Sequence, residues 1–273
     1  MNSIKDMINS CTVVIRGAGD LATGVAIRLF RSGFPVVMLE IEKPTVIRRT
    51  VSFAQAVYDG ETEVEGVRAV FTDVKWALSE AHNGCVAVVC DRECKAIETL
   101  KPTILIDAIL AKKNLGTTKQ MADFVLALGP GFTAGEDCHA VVETQRGHNL
   151  GRVIYSGSAA PNTGVPGLIC GYGKERVMKS PTAGIFRSVA RIGEIVAEEA
   201  VIAYVGDTPV ITGIGGKVRG MLMDGLMVPE GFKVADVDPR GEETDHTRCS
   251  DKAMAIAGGA LEAVMHFLTG DGE

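Results

Sequence analysis

The chain has 273 residues, of which 46% are hydrophobic and 23% charged, and a formal net charge of −6. That is enough apolar material for the core of one large or two modest domains. The acidic balance, with no basic run longer than Arg48-Arg49 or Lys112-Lys113, excludes a nucleic-acid backbone as an expected partner. No apolar run approaches the roughly 18 residues that span a bilayer. The most apolar segment, residues 254–268, is broken by Glu262 and His266, and the start lacks a leader-like apolar region, so a cytoplasmic protein without a membrane partner is expected. Seven cysteines without Cys-x-x-Cys spacing favour a reducing compartment over a disulfide framework.

The first informative stretch is Val13-Val14-Ile15-Arg16-Gly17-Ala18-Gly19-Asp20-Leu21-Ala22-Thr23-Gly24. It reads as a buried strand, a glycine turn and a helix N-terminus. Gly17 allows the tight turn, Gly19 lets a pyrophosphate approach the backbone, and Ala22 stands where a small residue permits close packing. The amides of Asp20, Leu21 and Ala22 would then point at an anion. Leu21, Ala22, Val25, Ala26, Leu29 and Phe30 recur at helical spacing, Gly33 ends the helix, and residues 35–40 read as a second strand. Glu40 closes that strand about 20 residues beyond the glycines, where a carboxylate accepts hydrogen bonds from ribose hydroxyls.

Arg48 and Arg49 follow, either as part of a solvated loop or as a phosphate contact at Arg48. Strands are then predicted at residues 64–71, 85–90 and 104–110, with helices at 73–81, capped by Asp73, and at 93–100. Strands alternating with helices imply a parallel sheet. Asp91 reads as a helix cap or a site residue, and Asp107 falls near the carboxyl end of a strand, where α/β sheets bind ligands. Residues 124–128 lead into a second glycine turn with Gly129 and Gly131, and residues 141–144 and 152–155 read as an antiparallel extension whose turn holds Arg146 and His148. Residues 156–174, rich in glycine with Pro161 and Pro166, read as a boundary, either a linker or a second anion-binding nest.

Beyond it lies an internal repeat. Gly184-Ile185-Phe186-Arg187 is followed by Gly193 and Val196, and Gly216-Lys217-Val218-Arg219 by Gly225 and Val228, at identical spacing. Two interlocking β units with pseudo-twofold symmetry are expected. This part resembles the barrel-sandwich fold of biotinyl and lipoyl carrier domains, but the exposed turn between the halves, residues 206–216, has no lysine to carry a swinging arm. The chain closes with a helix over 253–268 capped by Ser250 or Asp251. Beside that helix start, Cys249 reads as a structural cysteine, as a reactive thiol or, with His246 and Asp251, as an incomplete metal set; no metal ligand is assigned.

Taken together, Arg16 to Gly24, Glu40-Ile41-Glu42-Lys43-Pro44 to Val51, Gly129-Pro130-Gly131-Phe132, Glu143 to Gly151 and Asp236-Val237-Asp238-Pro239-Arg240-Gly241 resemble the selenium-dependent molybdenum hydroxylase system proteins of the YqeB type. The glycine turn with its helix is also similar to the nucleotide-binding half of the XdhC-type maturation proteins. The fold expected is α/β: a Rossmann-like parallel sheet over residues 1–160, a β-rich barrel-sandwich-like domain over 175–240, and a final segment with a helix over 241–273.

The resemblance implies an accessory role in maturing a molybdenum hydroxylase, with that enzyme or its cofactor-biosynthesis proteins as partners. The ligand would be NAD(P) or a molybdopterin dinucleotide, held by Gly17, Gly19, Asp20, Leu21, Ala22, Glu40, Arg48, Gly129 and Gly131, with Cys249 as a selenium- or sulfur-handling thiol. Two other readings stay open. One is an NAD(P)-dependent oxidoreductase with Asp107 or His148 as acid or base; the other is a protein-binding scaffold. A homodimer is a prior expectation for an α/β domain with a β-rich appendage.

Overall fold

A computed structural model describes residues 4–165 and 167–270; Pro166 lies outside them. The chain forms two compact units. The first comprises Met1–Pro44, Ser52–Asn162 and Cys249–Glu273, and the second Thr45–Val51 and Thr163–Arg248.

In the first unit a short helix α1 (Ile4–Ser10) leads into β1 (Val13–Arg16), α2 (Asp20–Arg31) and β2 (Val36–Glu40). Helix α3 (Ala56–Asp59) precedes a hairpin of β3 (Glu61–Val64) and β4 (Val67–Phe71), where a single strand over 64–71 was expected. Its turn residues Glu65 and Gly66 both take positive φ, 50° and 78°, the conformation of a two-residue hairpin turn. Next come α4 (Val74–His82), β5 (Val86–Cys90), α5 (Ile97–Leu100), β6 (Ile104–Asp107) and β7 (Phe124–Leu128). Helix α5 is shorter than predicted, because Cys94 at φ 61° holds the preceding residues in a turn. The short strand β8 (Thr133–Ala134), β9 (Ala140–Val142), β10 (Val153–Ile154) and β11 (Gly157–Ser158) complete the set.

Nine of these strands form one sheet in the order β10-β9-β7-β6-β1-β2-β5-β4-β3. The seven from β9 to β4 run parallel, while β10 and β3 are antiparallel edges. β10 against β9 is the predicted antiparallel extension. Strands β1, β2, β5, β6 and β7 are continuous apolar runs because both faces are covered.

The last helix, α6 (Asp251–Thr269), belongs to this unit, not to a separate C-terminal segment. Ser250 caps it by accepting from the Ala253 amide. Its small residues let it approach closely: a Cβ on Gly24 of α2 would stand 3.1 Å from the Ala253 Cβ, and one on Gly259 would stand 2.0 Å from the Gly151 carbonyl oxygen. Farther along, Phe267 stacks on Phe124 of β7.

In the second unit β12 (Val177–Lys179), β13 (Gly184–Ser188), β14 (Ile195–Val196), β15 (Val201–Val205), β16 (Thr208–Ile211), β17 (Gly216–Met221), β18 (Met227–Val228) and β19 (Lys233–Asp238) make two four-stranded sheets. The repeat is realised as an exchange of strands. β13 of the first copy pairs with β18 of the second, and β17 of the second pairs with β14 of the first. Each copy also keeps its own pair, β13 with β15 and β17 with β19. Phe186, Ile202, Val218 and Val237, all fully buried, fill the space between. The segment Thr45–Val51 joins this unit, where the Ile47 carbonyl accepts from the Met221 amide at 2.8 Å. Among the described residues no helix is long and apolar enough to cross a membrane.

Candidate functional site

Every parallel strand of the large sheet ends on one edge, which therefore gathers the residues after β1, β2, β4, β5, β6, β7 and β9. From β1 the chain moves outward through β2 to the β3–β4 hairpin at the edge, inserts β5 between β2 and β4, and then returns to place β6 on the other side of β1. In open α/β sheets such a reversal opens a crevice at the carboxyl ends of the strands. Here it falls between Arg16 of β1 and Asp107 of β6, which are register partners.

The glycine turn stands at that point. Gly17 has φ +104°, and a Cβ on it would lie 3.0 Å from the Ala108 carbonyl oxygen; only glycine fits. Its amide donates to the Leu39 carbonyl at 2.7 Å. The next amide, of Ala18, donates to Oε2 of Glu40 at 2.9 Å, and the Ile41 amide donates to Oε1 of the same carboxylate at 2.8 Å. Glu40 thus fixes the turn while each oxygen keeps a lone pair. Gly19 is the N-cap of α2 and supplies no side-chain cap. The amides of Asp20, Leu21 and Ala22 lie in the first turn, where a helix has no intrahelical acceptors for them.

Burial raises the Glu40 pKa, outweighing the hydrogen bonds from Ile41 and Ala18. A carboxyl with a raised folded-state pKa favours folding below its unfolded value of about 4.3, and that contribution is lost as pH rises through the folded value. Between about pH 4 and pH 7 the urea midpoint of the wild type should therefore fall relative to that of Glu40→Gln; parallel profiles would contradict this role.

One residue of the site carried no signal that sequence reading used. Lys252, in the first turn of α6, is partly buried, and burial, with the charge of Arg146 adding to it, lowers its pKa, while Asp20, Glu143 and Asp251 act the other way. It brings a cation to the helix that follows the glycine turn. Arg146 itself grips Asp251 with two bonds, of 2.6 and 2.9 Å.

A cavity of about 540 Å³ opens farther along the same edge, lined by Phe71, Asp73, Lys75, Cys90, Asp91 and Lys95 among others. Cys90 is the register partner of Glu40, so the cavity adjoins the strand that carries the carboxylate. Asp91 uses its carboxylate as a local cap, accepting from the Glu93 and Ala96 amides at 3.1 and 2.6 Å.

The remaining predicted residues fall elsewhere or are otherwise engaged. Asp107 is buried and bonded to Thr117 at 2.6 Å, within 3.5 Å of Arg16. Gly129 and Gly131 are required by packing, since Cβ atoms there would stand 2.5 Å from the Thr144 Oγ1 and 2.6 Å from the Lys113 Cα. His148 is exposed. Arg48 belongs to the second unit, as does His246, whose ring lies over Gly193. Among the described residues no three His, Cys, Asp or Glu side chains converge as a metal site.

Cys249 is partly buried just before the Ser250 cap, and its amide donates to Glu65. Burial pushes the Cys94 thiol up to about 11 and Cys138 up to about 12. Alkylation near pH 8 followed by mass spectrometry should label exposed Cys170 first and reach Cys94 and Cys138 only in denaturant. Labelling of Cys94 in the folded protein would contradict the fold around it.

No family model matches the chain. Over 257 residues it is 57% identical to "Uncharacterized protein YqeB" of Escherichia coli (strain K12), a match covering 94% of this chain and 48% of that protein. The chain spans about half the length of this curated relative, and the identity supports kinship with the YqeB type. Among solved structures it is similar to an aspartoacylase family protein of Mesorhizobium loti, at 8% identity and a TM-score of 0.26 over 83% of this chain and 84% of that one. It is likewise similar to the ectoine utilization protein EutE (DoeB) of Ruegeria pomeroyi, at 9% identity and a TM-score of 0.26 over 84% and 85%. Likenesses at that level carry no weight for fold or chemistry.

Proposed function

We propose that this relative of YqeB is an accessory factor in maturing a molybdenum hydroxylase, and that its first unit is a Rossmann-like domain holding a nucleotide. The second unit is read as a barrel-sandwich-like domain without a carrier lysine. The observation that carries the nucleotide reading is the joint geometry of the glycine turn and Glu40. A phosphate on the amides of Asp20 to Ala22 and a ribose on the free lone pairs of Glu40 need no rearrangement of either. Neighbouring strands lie about 4.8 Å apart, so the step from β1 past β2 to the crevice between β5 and β4 is roughly 12 Å. That distance matches the reach from a pyrophosphate through ribose to a base. The exposed ring of Phe71 gives the base a face to lie on.

The ligand is NAD(P) or a molybdopterin dinucleotide, and the maturation role rests on the resemblance. The oxidoreductase reading needs a free acid or base, whereas Asp107 is bound to Arg16 and Thr117 and His148 lies out in an exposed turn. The test is a calorimetric titration of the full chain with NAD, NADP, CDP, CTP and the molybdopterin dinucleotide. A cytidine or molybdopterin nucleotide should bind, and Glu40→Ala should weaken it about tenfold, the worth of one charge-assisted hydrogen bond. Tight NAD binding with hydride turnover would move the assignment to an oxidoreductase, and silence from every ligand would leave a protein-binding scaffold.

A further inference from the structure

The second unit contains a guanidinium that its own fold leaves without a hydrogen bond. Pairing between β17 and β19 shifts register between Val218 and Gly220, which makes Arg219 the bulged residue of β17. Bulges re-aim a side chain and are concentrated beside functional sites. The Arg219 side chain is only 11% exposed, and its nearest carboxylate, Asp238, stands 3.5 Å away.

That carboxylate is already engaged. Asp238 accepts from Nε and Nη2 of Arg240 at 2.9 and 2.7 Å and from the Arg240 amide at 3.1 Å. Hydrogen bonds from Arg240 overcome the effect of burial and hold its pKa down at about 2. Asp236, the other acid nearby, is taken by Arg176 at 2.8 Å and Lys233 at 3.2 Å. Among the described residues Arg219 therefore donates to nothing, and its Nε is buried without a partner. The Nε of Arg176 is in the same state.

An arginine cannot escape such a setting by losing its proton. Burial lowers the basicity of Arg219, and the neighbouring charges of Arg48 and Arg240 act in the same direction against the pull of Asp238 and Asp236. Asp238 stands within ion-pair range of Arg219 Nη1 but makes no hydrogen bond to it. Here the bulge places the fork where both acids are already shared.

We propose that Arg219, beside the positive charges of Arg48 and Arg240, anchors an oxyanion site in the second unit that takes a dianionic phosphoryl group. A phosphoryl group brings up to two negative charges and three acceptor oxygens, enough to meet the Arg219 fork and the neighbouring positive charges of Arg48 and Arg240. A carboxylate offers one charge and fills one fork. The observations are independent of the glycine turn, so this site stands or falls separately from the nucleotide reading.

The experiment is a calorimetric titration of the full chain with inorganic phosphate, with glycerol 3-phosphate and with acetate, in the wild type, Arg219→Gln, Arg219→Lys and Gly19→Val, together with thermal melts of each. Phosphate or its monoester should bind the wild type and acetate should not. Tighter binding of the monoester marks a phosphorylated metabolite as the source, and equal binding marks free phosphate. Arg219→Gln and Arg219→Lys should each weaken binding about tenfold or more, and Arg219→Gln should melt no lower than the wild type, since it removes a buried charge that makes no hydrogen bond. Phosphate binding should persist in Gly19→Val. Absence of phosphate binding in the wild type, binding retained in Arg219→Lys at wild-type strength, a lower melt for Arg219→Gln, or loss of phosphate binding in Gly19→Val would each overturn the proposal.

Discussion

Asp107→Ala is expected to destabilise the protein by about 3–5 kcal/mol, the cost of breaking a buried pair from one side. Arg16 and Asp107 are register partners on β1 and β6 and are 6% and 2% exposed. Thr117 joins them: its hydroxyl donates to Oδ2 of Asp107 at 2.6 Å and accepts from Nη1 of Arg16 at 2.8 Å. Nη2 of Arg16 donates to the Leu115 carbonyl at 3.1 Å. Removing the carboxylate leaves a guanidinium in the core and a hydroxyl without its acceptor. Against a total stability of about 5–15 kcal/mol this is a large fraction. The measurement is a urea midpoint at unchanged slope. The double variant Arg16→Met with Asp107→Leu should recover most of the loss, because two apolar groups of similar volume remove both charges together. A loss below about 1 kcal/mol for Asp107→Ala would mean that the network does not organise the crevice.

Gly19→Val is expected to abolish nucleotide binding while leaving the fold in place. Gly19 has φ −67° and ψ −179°, extended backbone that a branched residue adopts without strain. The fold should lose only about 1 kcal/mol, since valine is a poorer N-cap than glycine. For a ligand the change is larger, because a branched side chain takes the place where glycine lets a phosphate approach the backbone. Losing two charge-assisted amide bonds at about 1.5 kcal/mol each corresponds to a fall of roughly a hundredfold in affinity. A calorimetric titration of the variant beside the wild type, with matched thermal melts, checks both halves of this expectation.

The parallel core was readable because its strands are buried on both faces and so appear as unbroken apolar runs, as in Val13-Val14-Ile15 and Phe124 to Leu128. Strand exchange between the repeats was readable from the matching glycine and valine spacing. Short-range backbone choices were not. The hairpin turn at Glu65-Gly66 hides inside an apparently continuous strand, since nothing about a glutamate announces a positive φ.

Long-range joins were equally silent. Met254 to Leu268 reads as an apolar helix, but its place against α2 depends on Gly24 meeting Ala253, a pairing that local periodicity does not encode. The same holds for Thr45–Val51, which joins the second unit through Ile47, packed where a Cβ on Gly220 would stand 2.8 Å from its side chain. In the site itself, Gly17, Gly19 and Glu40 announced themselves by spacing. Lys252 and Thr117 did not, because their roles arise only when distant segments are brought together.

The most direct test of the account reads the amides themselves: a heteronuclear NMR titration of the ¹⁵N-labelled full chain with the nucleotide that binds most tightly. The amide signals of Gly19, Asp20, Leu21 and Ala22 should shift most, followed by those of Ala18 and Ile41, whose hydrogen bonds to Glu40 report on the ribose. A nucleotide that binds while those signals stay fixed would place the ligand elsewhere and contradict the assignment of the glycine turn.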